Sequence, residues 1–419
     1  MRIYLDSIGC RLNWSEIEML ARRFTAAGCS IVSEPERADI CVVNTCAVTA
    51  QAERKTRHRV RSLHRQSPGA HIAVVGCYPT LRPEISADFP GVDWVIPNAE
   101  KTEVARIVGA TSQEIAPSRP TVCRPPLRAR AFVKVQDGCD NHCTYCIVRS
   151  LRGPSRSRPV TDIIVEVQAL VEEAGCQEAV LTGASLGAYG RDLGLSGGLR
   201  ALVENILTET DLPRLRLSSL EPWDISEAFF ELWGDARMCR QIHLPLQAGC
   251  DDTLRRMGRP ITTEGFARLI EVARTAIPDL AVTTDILVGF PGEDDEAFLE
   301  SYRFVERMEF AKLHVFPYSP RPGTPATKLS HQVPPHMRDE RARRMRDLGA
   351  LQRRRYQNRF RGQELEVLWE RQRRDGRWTG WTDNYLRVSA RMEADLCGRI
   401  TRVRLLTPEG NHFKGEVIL

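Results

Sequence analysis

Residues 131–146 read AFVKVQDGCDNHCTYC: an apolar run over 131–136, then Cys139, Cys143 and Cys146 in close succession. The run has the length and composition of a buried strand, so the three cysteines fall in the loop at its carboxyl end. Working outward, strand-like runs recur at 179–182, 214–219, 241–247, 282–288 and 312–316, and helical patterns separate them, including 160–174, 264–276 and 295–308. Six strand–helix units over about 200 residues predict a partial, open relative of the eight-fold barrel, which typically takes about 250. Functional side chains in such folds sit just after the strands, and the cysteine triplet follows the first of them.

Upstream, short apolar runs at 2–7, 39–44 and 71–76 alternate with helix-like stretches at 15–27 and 48–65, a βαβαβ pattern. One cysteine follows each run: Cys10, Cys46 and Cys77. The carboxyl ends of strands in an open parallel sheet share one edge, so residues far apart in sequence converge there. A free cysteine often just fills a core. The matching position after three successive strands points instead to a second metal site. Cys29, Cys41, Cys123, Cys176, Cys239, Cys250 and Cys397 show no such pattern and read as structural.

Four prolines between 114 and 130 mark a linker. The expected division is an amino-terminal unit at 1–113, the linker at 114–130, the barrel at 131–335, a basic helical connection at 336–361 and a small all-β unit at 362–419. The connection holds ten arginines against three acidic residues between 338 and 361. Such a run suits nucleic-acid phosphates or simply a solvated helix face. The tail has five strand candidates, 364–370, 378–382, 386–390, 398–407 and 412–419, which suggest a small barrel of the oligonucleotide-binding kind. Trp378, Trp381 and Tyr385 in it would either stack on bases or fill the barrel. A formal charge of +5 over 419 residues permits a nucleic-acid partner without requiring one. Thirteen cysteines, an odd count with no secretion signal, argue against a disulfide scaffold and for metal or redox chemistry. No stretch reads as a signal peptide or membrane span, so no membrane partner and a cytoplasmic location are expected.

Three thiolates spaced as Cys139, Cys143 and Cys146 serve three irons of a 4Fe-4S cluster and leave the fourth open to a small chelating ligand. Structural zinc normally takes four protein ligands, commonly from paired CxxC units. Glycine-bearing segments at 181–190 and 289–293 follow strands, where backbone can approach a ligand closely or merely turn.

Together these residues resemble the radical S-adenosylmethionine methylthiotransferase family. The matching segments are GCRLNWSEIE, VVNTCAVTAQAERK, VVGCYP, QDGCDNHCTYCIVRSLRGPSRSRP, PLQAGCDDTLRRMGR, TDILVGFPGE and HVFPYSPRPGTPA, so the resemblance covers essentially the whole chain. It implies an α/β protein with a parallel-sheet cluster domain, a partial (βα)6 barrel and a carboxyl-terminal TRAM barrel. It further implies two 4Fe-4S clusters: an auxiliary one on Cys10, Cys46 and Cys77, involved in sulfur transfer, and a radical-generating one on Cys139, Cys143 and Cys146. S-adenosylmethionine is then the cofactor, with Tyr145 near its adenine and Thr182, Gly183, Ser219, Glu221 and Gln247 placed at strand ends for the rest.

Within the family, the segments LTGASLGAYG, RLSSLEP and HVFPYSPRPGTPA look most like the branch that converts N6-threonylcarbamoyladenosine, next to the tRNA anticodon, to its 2-methylthio derivative. Its partner is the tRNA anticodon stem-loop, with Arg152, Arg156 and Arg158 available to guide the loop. Ser185, Ala248 and Arg149 stand where this branch often has His, Ser and Pro; these departures bear on how the substrate is held. The alternatives are the same chemistry on N6-isopentenyladenosine tRNA or on an aspartate of a ribosomal protein, and, from another class, a non-catalytic zinc-dependent RNA-binding protein. A radical is needed because the C2–H of adenine is neither acidic nor open to simple nucleophilic replacement.

Overall fold

The computed structural model describes residues 1–84, 89, 91–111 and 129–418. The expected linker lies outside the described residues except for its last two positions, and Cys123 lies outside them as well. The amino-terminal unit is a parallel sheet of β1 (Arg2–Ser7), β2 (Ser30–Val32), β3 (Ile40–Thr45), β4 (His71–Gly76) and β5 (Val92–Pro97) in the order β2-β1-β3-β4-β5. Its helices are α1 (Arg11–Ala26), α2 (Ala50–Gln66), α3 (Cys77–Leu81) and α4 (Val104–Ile107). β3 is buried along its whole length and β4 at every residue after His71, which is why both read as unbroken apolar runs. β2 and β5 extend the sheet beyond the βαβαβ pattern expected from the sequence. The first has only three residues, and the second is a half-exposed edge, so neither carries a strong apolar signal.

The second unit holds β6 (Arg130–Lys134), the short pair β7 (Gln136–Asp137) and β8 (Arg156–Ser157), then β9 (Glu178–Thr182), β10 (Arg214–Leu217), β11 (Gln241–His243), β12 (Ala281–Val288) and β13 (Lys312–Pro317). Parallel sheets β10-β9-β6 and β11-β12-β13 meet through single bridges at Leu215–Met238 and Ser219–His243. The result is the open six-stranded wall expected, with α5 (Val148–Arg152), α6 (Val160–Glu172), α7 (Gly198–Glu209), α8 (Asp251–Arg256), α9 (Thr263–Ala276) and α10 (Asp295–Met308) between strands. Side-chain caps start the last two: Thr262 accepts from Gly265 N and Asp294 from Ala297 N.

The basic segment forms α11 (Pro335–Asn358), and it is part of the barrel wall as well as a connection. Arg341 is buried and donates to Glu293 O at 2.8 Å, Gln352 Nε2 donates to Val305 O at 2.7 Å, and Gly349 lies against Leu313. The tail closes into a barrel of β14 (Glu364–Gln372), β15 (Arg377–Thr382), β16 (Arg387–Arg391), β17 (Ile400–Glu409) and β18 (His412–Val417), in the order β14-β15-β16-β18-β17. It seats on the amino ends of the barrel strands. There the fully buried Arg216 pairs with Glu178 at 2.7 Å and donates to Asp383 O at 2.9 Å. The cysteine triplet lies at the opposite, carboxyl ends.

Candidate metal centres

The loop carrying Cys139, Cys143 and Cys146 is pinned by its backbone: Cys139 N donates to Gly153 O at 3.1 Å, Thr144 N to Met257 O at 2.9 Å and Cys146 N to Cys143 O at 3.0 Å. Gly138, at φ 71, passes so close to the Pro154 carbonyl that any Cβ would collide with it. Hydrogen-bond donors address the sulfurs. Val148 N lies 3.5 Å from Cys146 Sγ, and Arg259 Nη1 lies 3.9 Å from Cys143 Sγ. Burial raises all three thiol pKa values, that of Cys146 to about 12.

Arg259, which the sequence alone did not single out, organises this rim. Its side chain is buried, donates to Glu221 Oε2 at 2.9 Å and to Pro245 O, lies 3.3 Å from the Tyr145 hydroxyl and covers Trp223 at 4.6 Å. Burial pushes the Glu221 carboxyl up despite that guanidinium. Tyr145, Cys143 and Glu221 are thus drawn together by one cation. Thr182 is buried at the end of β9, and Gly183 leaves no room for a Cβ beside Gln136 Oε1. Ser219 bridges to His243 beyond β10. Gln247 takes a left-handed φ of 75 while its N–H donates to Asp285 O at 2.8 Å. Of the three departures, Ser185 Oγ lies 3.4 Å from Asn141 Nδ2, Ala248 is buried, and exposed Arg149 lies 2.9 Å from His142 Nε2.

Cys10, Cys46 and Cys77 do converge at one sheet edge. Cys10 caps α1, Cys46 directly follows β3, and Cys77 opens α3 after β4. A Cβ on Gly9, at φ 126, would stand 2.6 Å from Cys46 Cβ, so glycine lets the first two segments meet. The Cys46 thiol is pushed up to about 12 by burial and, next, by the charges of Cys10 and Cys77. Asn98 Nδ2 donates to Cys77 Sγ at 3.3 Å, and Cys10 Sγ lies 3.5 Å from Asn13 Oδ1.

A buried ionic joint ties this edge to the other triplet. Arg152, the last residue of α5, donates to Asn13 Oδ1 at 2.8 Å, Glu16 Oε1 at 2.8 Å and Asp137 Oδ1 at 2.9 Å. Glu16 also meets Lys101 at 2.5 Å and Lys134 at 3.2 Å, and Asn98 donates to Leu151 O at 2.9 Å. Burial pushes the Glu16 carboxyl up, but Lys101, Arg152 and Lys134 outweigh it and hold it well below the usual range.

Arg152 is therefore not available to phosphates, contrary to the expectation from its place in an arginine-rich segment. Its guanidinium is already committed to Glu16, Asp137 and Asn13. Arg158 pairs with Glu166 at 2.6 Å, while Arg156 stays exposed. Trp378 belongs to the tail-barrel core. Trp381 and Tyr385 stack on each other at 4.8 Å instead of standing free for bases. Cys29, Cys41, Cys176, Cys239 and Cys250 are buried singly, and Cys397 is exposed. Asn13 and Glu16 sit inside the GCRLNWSEIE segment; two polar residues on the helix face that also buries Ile17 and Leu20 were the available signal for the joint.

Both triplets are free thiols with sulfur-directed donors, the residue type and setting that an iron–sulfur cluster takes. Among the described residues, no three His, Cys, Asp or Glu side chains already close into a metal shell, so the fit is one of donor type and placement.

Residues 2–97 match the family described as uncharacterized protein family UPF0004, and residues 133–305 match the radical SAM superfamily. The chain is 33% identical to the threonylcarbamoyladenosine tRNA methylthiotransferase MtaB of Bacillus subtilis, over 99% of this chain and 96% of that one. It is 36% identical to a tRNA-2-methylthio-N(6)-dimethylallyladenosine synthase of Parafrankia, over 82% of this chain and 72% of that one. In fold it is similar to the radical S-adenosylmethionine methyltransferase TsrM of Kitasatospora setae, with a TM-score of 0.55 and 14% identity over 78% of this chain and 74% of that one.

Proposed function

Because the chain belongs to the radical S-adenosylmethionine methylthiotransferase family and is a tRNA methylthiotransferase using an iron–sulfur cluster, we infer that its substrate is N6-threonylcarbamoyladenosine beside the anticodon and its product the 2-methylthio derivative. The observation that supports the reaction class is the pair of cysteine triplets, each gathered at the carboxyl edge of a parallel sheet and linked by one buried ionic joint. The choice of base rests on the likeness of the segments 181–190, 216–222 and 314–326 to the threonylcarbamoyladenosine branch and on the full-length relatives that carry that name. Cys139, Cys143 and Cys146 hold the radical-generating cluster, and Cys10, Cys46 and Cys77 hold the auxiliary cluster. When bound, the clusters and S-adenosylmethionine supply the electron, carbon radical and sulfur that replacement of an unactivated C–H requires.

The chain's own residues bind and orient. The Arg259–Glu221 pair and Tyr145 form the rim against which the cofactor is held, with Thr182, Gly183, Ser219 and Gln247 on neighbouring strand ends. The Arg152–Glu16 joint fixes the distance between the two triplets. The exposed arginines of α11 and the tail barrel give the anticodon stem-loop an electrostatic grip. No helix among the described residues is long and apolar enough to cross a membrane, and the cytoplasm, where tRNA is, is the proposed location.

Percentage identity is similar for the relative named for threonylcarbamoyladenosine, 33% over 99% of this chain, and the one named for dimethylallyladenosine, 36% over 82%, so identity alone does not select the base. Nucleoside mass spectrometry of tRNA from a deletion strain complemented with this chain tests the reading. Restored 2-methylthio-N6-threonylcarbamoyladenosine is expected; restoration of only the isopentenyl product, or of neither, would overturn it.

A further inference from the structure

Along the inward face of the barrel, from the tail at the amino ends of the strands toward their carboxyl ends, runs a row of polar side chains that holding the clusters does not require. On β13, Leu313 and Val315 pack into the core, which leaves Lys312, His314 and Phe316 on the opposite face. Strand register sets Thr283, Asp285 and Leu287 of β12 beside them, and His243 of β11 beside Thr283. His243 Nε2 lies 3.4 Å from Asp285 Oδ1, its Nδ1 lies 2.9 Å from Thr283 Oγ1, and its ring meets that of His314 at 5.6 Å. Lys312 Nζ stands 5.5 Å over the ring of Tyr385, whose hydroxyl accepts from Arg11 Nη2 at 3.1 Å. Arg11 follows Cys10, and Arg259, beside Cys143, lies within electrostatic reach of Asp285. The row therefore runs from Arg11 and Tyr385, where the tail seats, up the barrel interior toward Arg259.

This face is reached by solvent. Arg11, Lys312, His314, Asp285 and Leu287 are all partly exposed, and Phe316 is 41% exposed although it is a large apolar residue. Its upper part, Phe316 and Leu287, is apolar and suits the flat face of a base. Its floor is polar. Arg11 and Lys312 carry two positive charges against the single negative charge of Asp285, because burial first, then Lys312, depresses His314 to about 4 and leaves it neutral at pH 7. The neighbouring Arg216 and Arg130 are committed to Glu178 and Glu370. A floor with one cation in surplus is complementary to a ligand group with one anion.

We propose that Lys312 and His314, with Arg11 and Tyr385 behind them, are specificity-determining residues that read the N6 substituent of the adenosine and select one ending in a carboxylate. The proposal rests on the functional reading above and deepens it. The threonylcarbamoyl group has one carboxylate, a hydroxyl and urea N–H groups, which match Lys312, His314 and Asp285 in kind. An isopentenyl group is apolar. Placed here it would strip water from Lys312 and Asp285 and return no hydrogen bond, and sites built of buried polar groups reject such analogues strongly.

The test uses full-length, cluster-loaded enzyme and three synthetic anticodon stem-loops: threonylcarbamoyl, its carboxylate methyl ester, and isopentenyl. The ester removes the charge while keeping the shape, and it needs no variant. The parent enzyme is expected to methylthiolate the acid loop with a KM about tenfold or more below that of the ester, the size of one charge-assisted hydrogen bond. Lys312→Met should raise KM for the acid to that of the ester and leave the ester unchanged, and Lys312→Arg should restore the difference. Equal KM for acid and ester in the parent would overturn the inference alone, as would a Lys312→Met effect of equal size on both loops. A parent enzyme that acts only on the isopentenyl loop would overturn the functional reading itself.

Discussion

Cys139, Cys143 and Cys146 lie in one short loop whose backbone is pinned to Gly153 and Met257, whereas Cys10, Cys46 and Cys77 come from three separate strand ends and meet only because the sheet brings them together. The first site needs one contiguous loop, Gly138 and a few outside contacts from Gly153, Met257 and Arg259. The second needs β1, β3 and β4 in register, Gly9 at the crossing, and Asn98 and Arg152 from outside. A local site is tolerant of strain elsewhere. A dispersed site inherits the stability of everything that holds its parts in register.

Removing each triplet in turn should give the largest effects. Replacing Cys139, Cys143 and Cys146 with alanine should abolish cofactor cleavage and methylthiolation and, if each triplet holds one cluster as proposed, halve the iron. Replacing Cys10, Cys46 and Cys77 should also halve the iron and abolish methylthiolated tRNA, yet leave release of 5′-deoxyadenosine by reduced enzyme. Iron and sulfide analysis, with product chromatography under one reductant, reads both. Methylthiolated nucleoside from the second variant would mean that those three cysteines are structural residues and hold no cluster needed for sulfur transfer.

The joint between the sites should show the next largest effect. Glu16→Gln leaves Lys101 and Arg152 buried without their shared carboxylate, and breaking a buried pair in this way costs about 3 kcal/mol or more. By contrast, Glu204→Gln, which breaks the solvent-facing pair with Arg200, should leave stability nearly unchanged. Urea unfolding monitored by circular dichroism would compare them. Equal, small effects would mean that the joint does not hold the two units together.

These contrasts also explain what could be read from the chain alone. The barrel strands, the five tail strands and both cysteine triplets were legible because apolar periodicity marks a strand and a cysteine directly after one marks an edge. The strand β2 was too short and β5 too exposed to carry that signal. The joint was not legible, because Arg152 sits in a run of arginines whose neighbours do face solvent, and only the fold shows that α1 lies against β6 and buries Glu16 beside it. Arg259 was hidden for the same reason: a single arginine after a glycine gains meaning only from Glu221 and Tyr145, which come from distant segments.

The two regions also differ in acid–base behaviour, because they carry buried carboxyls shifted in opposite directions. Glu16, at the joint, is held below its ordinary value, so its contribution is present at neutral pH and is lost as the pH falls through its folded pKa. Glu293, after β12, is raised to about 7 by burial, which outweighs Arg341 and the N–H groups of Gly289 and Phe290. Its contribution is complete below its unfolded value and is lost as the pH rises towards 7, by about 3 kcal/mol at most from the size of the shift. Glu293→Gln should therefore flatten the decline in melting temperature between pH 5 and pH 8, a window set by that shift. An unchanged decline would mean that Glu293 ionises normally in the folded protein.

The smallest effect separates the two faces of α11, where Arg346, Arg354 and Arg355 are exposed while Arg341 is buried against Glu293 and Asp295. If the exposed face grips the phosphates of tRNA, each neutralised phosphate releases counterions, and log affinity falls with log salt in proportion to the number of phosphates neutralised. Replacing Arg346, Arg354 and Arg355 with glutamine should then lower that slope by up to about 0.9 for each phosphate no longer neutralised, and weaken binding several-fold at physiological salt. The maximal rate at saturating tRNA should stay the same, because these residues lie far from both triplets in the chain and face solvent. Arg341→Gln should do the reverse: lower the melting temperature by uncoupling α11 from α10, and leave the salt slope alone. Filter binding across a salt series, alongside thermal unfolding of each variant, distinguishes the two faces. A slope unchanged by the triple replacement would move the phosphate grip off α11, and the arginine run would then be a solvated helix face whose buried members hold the barrel wall.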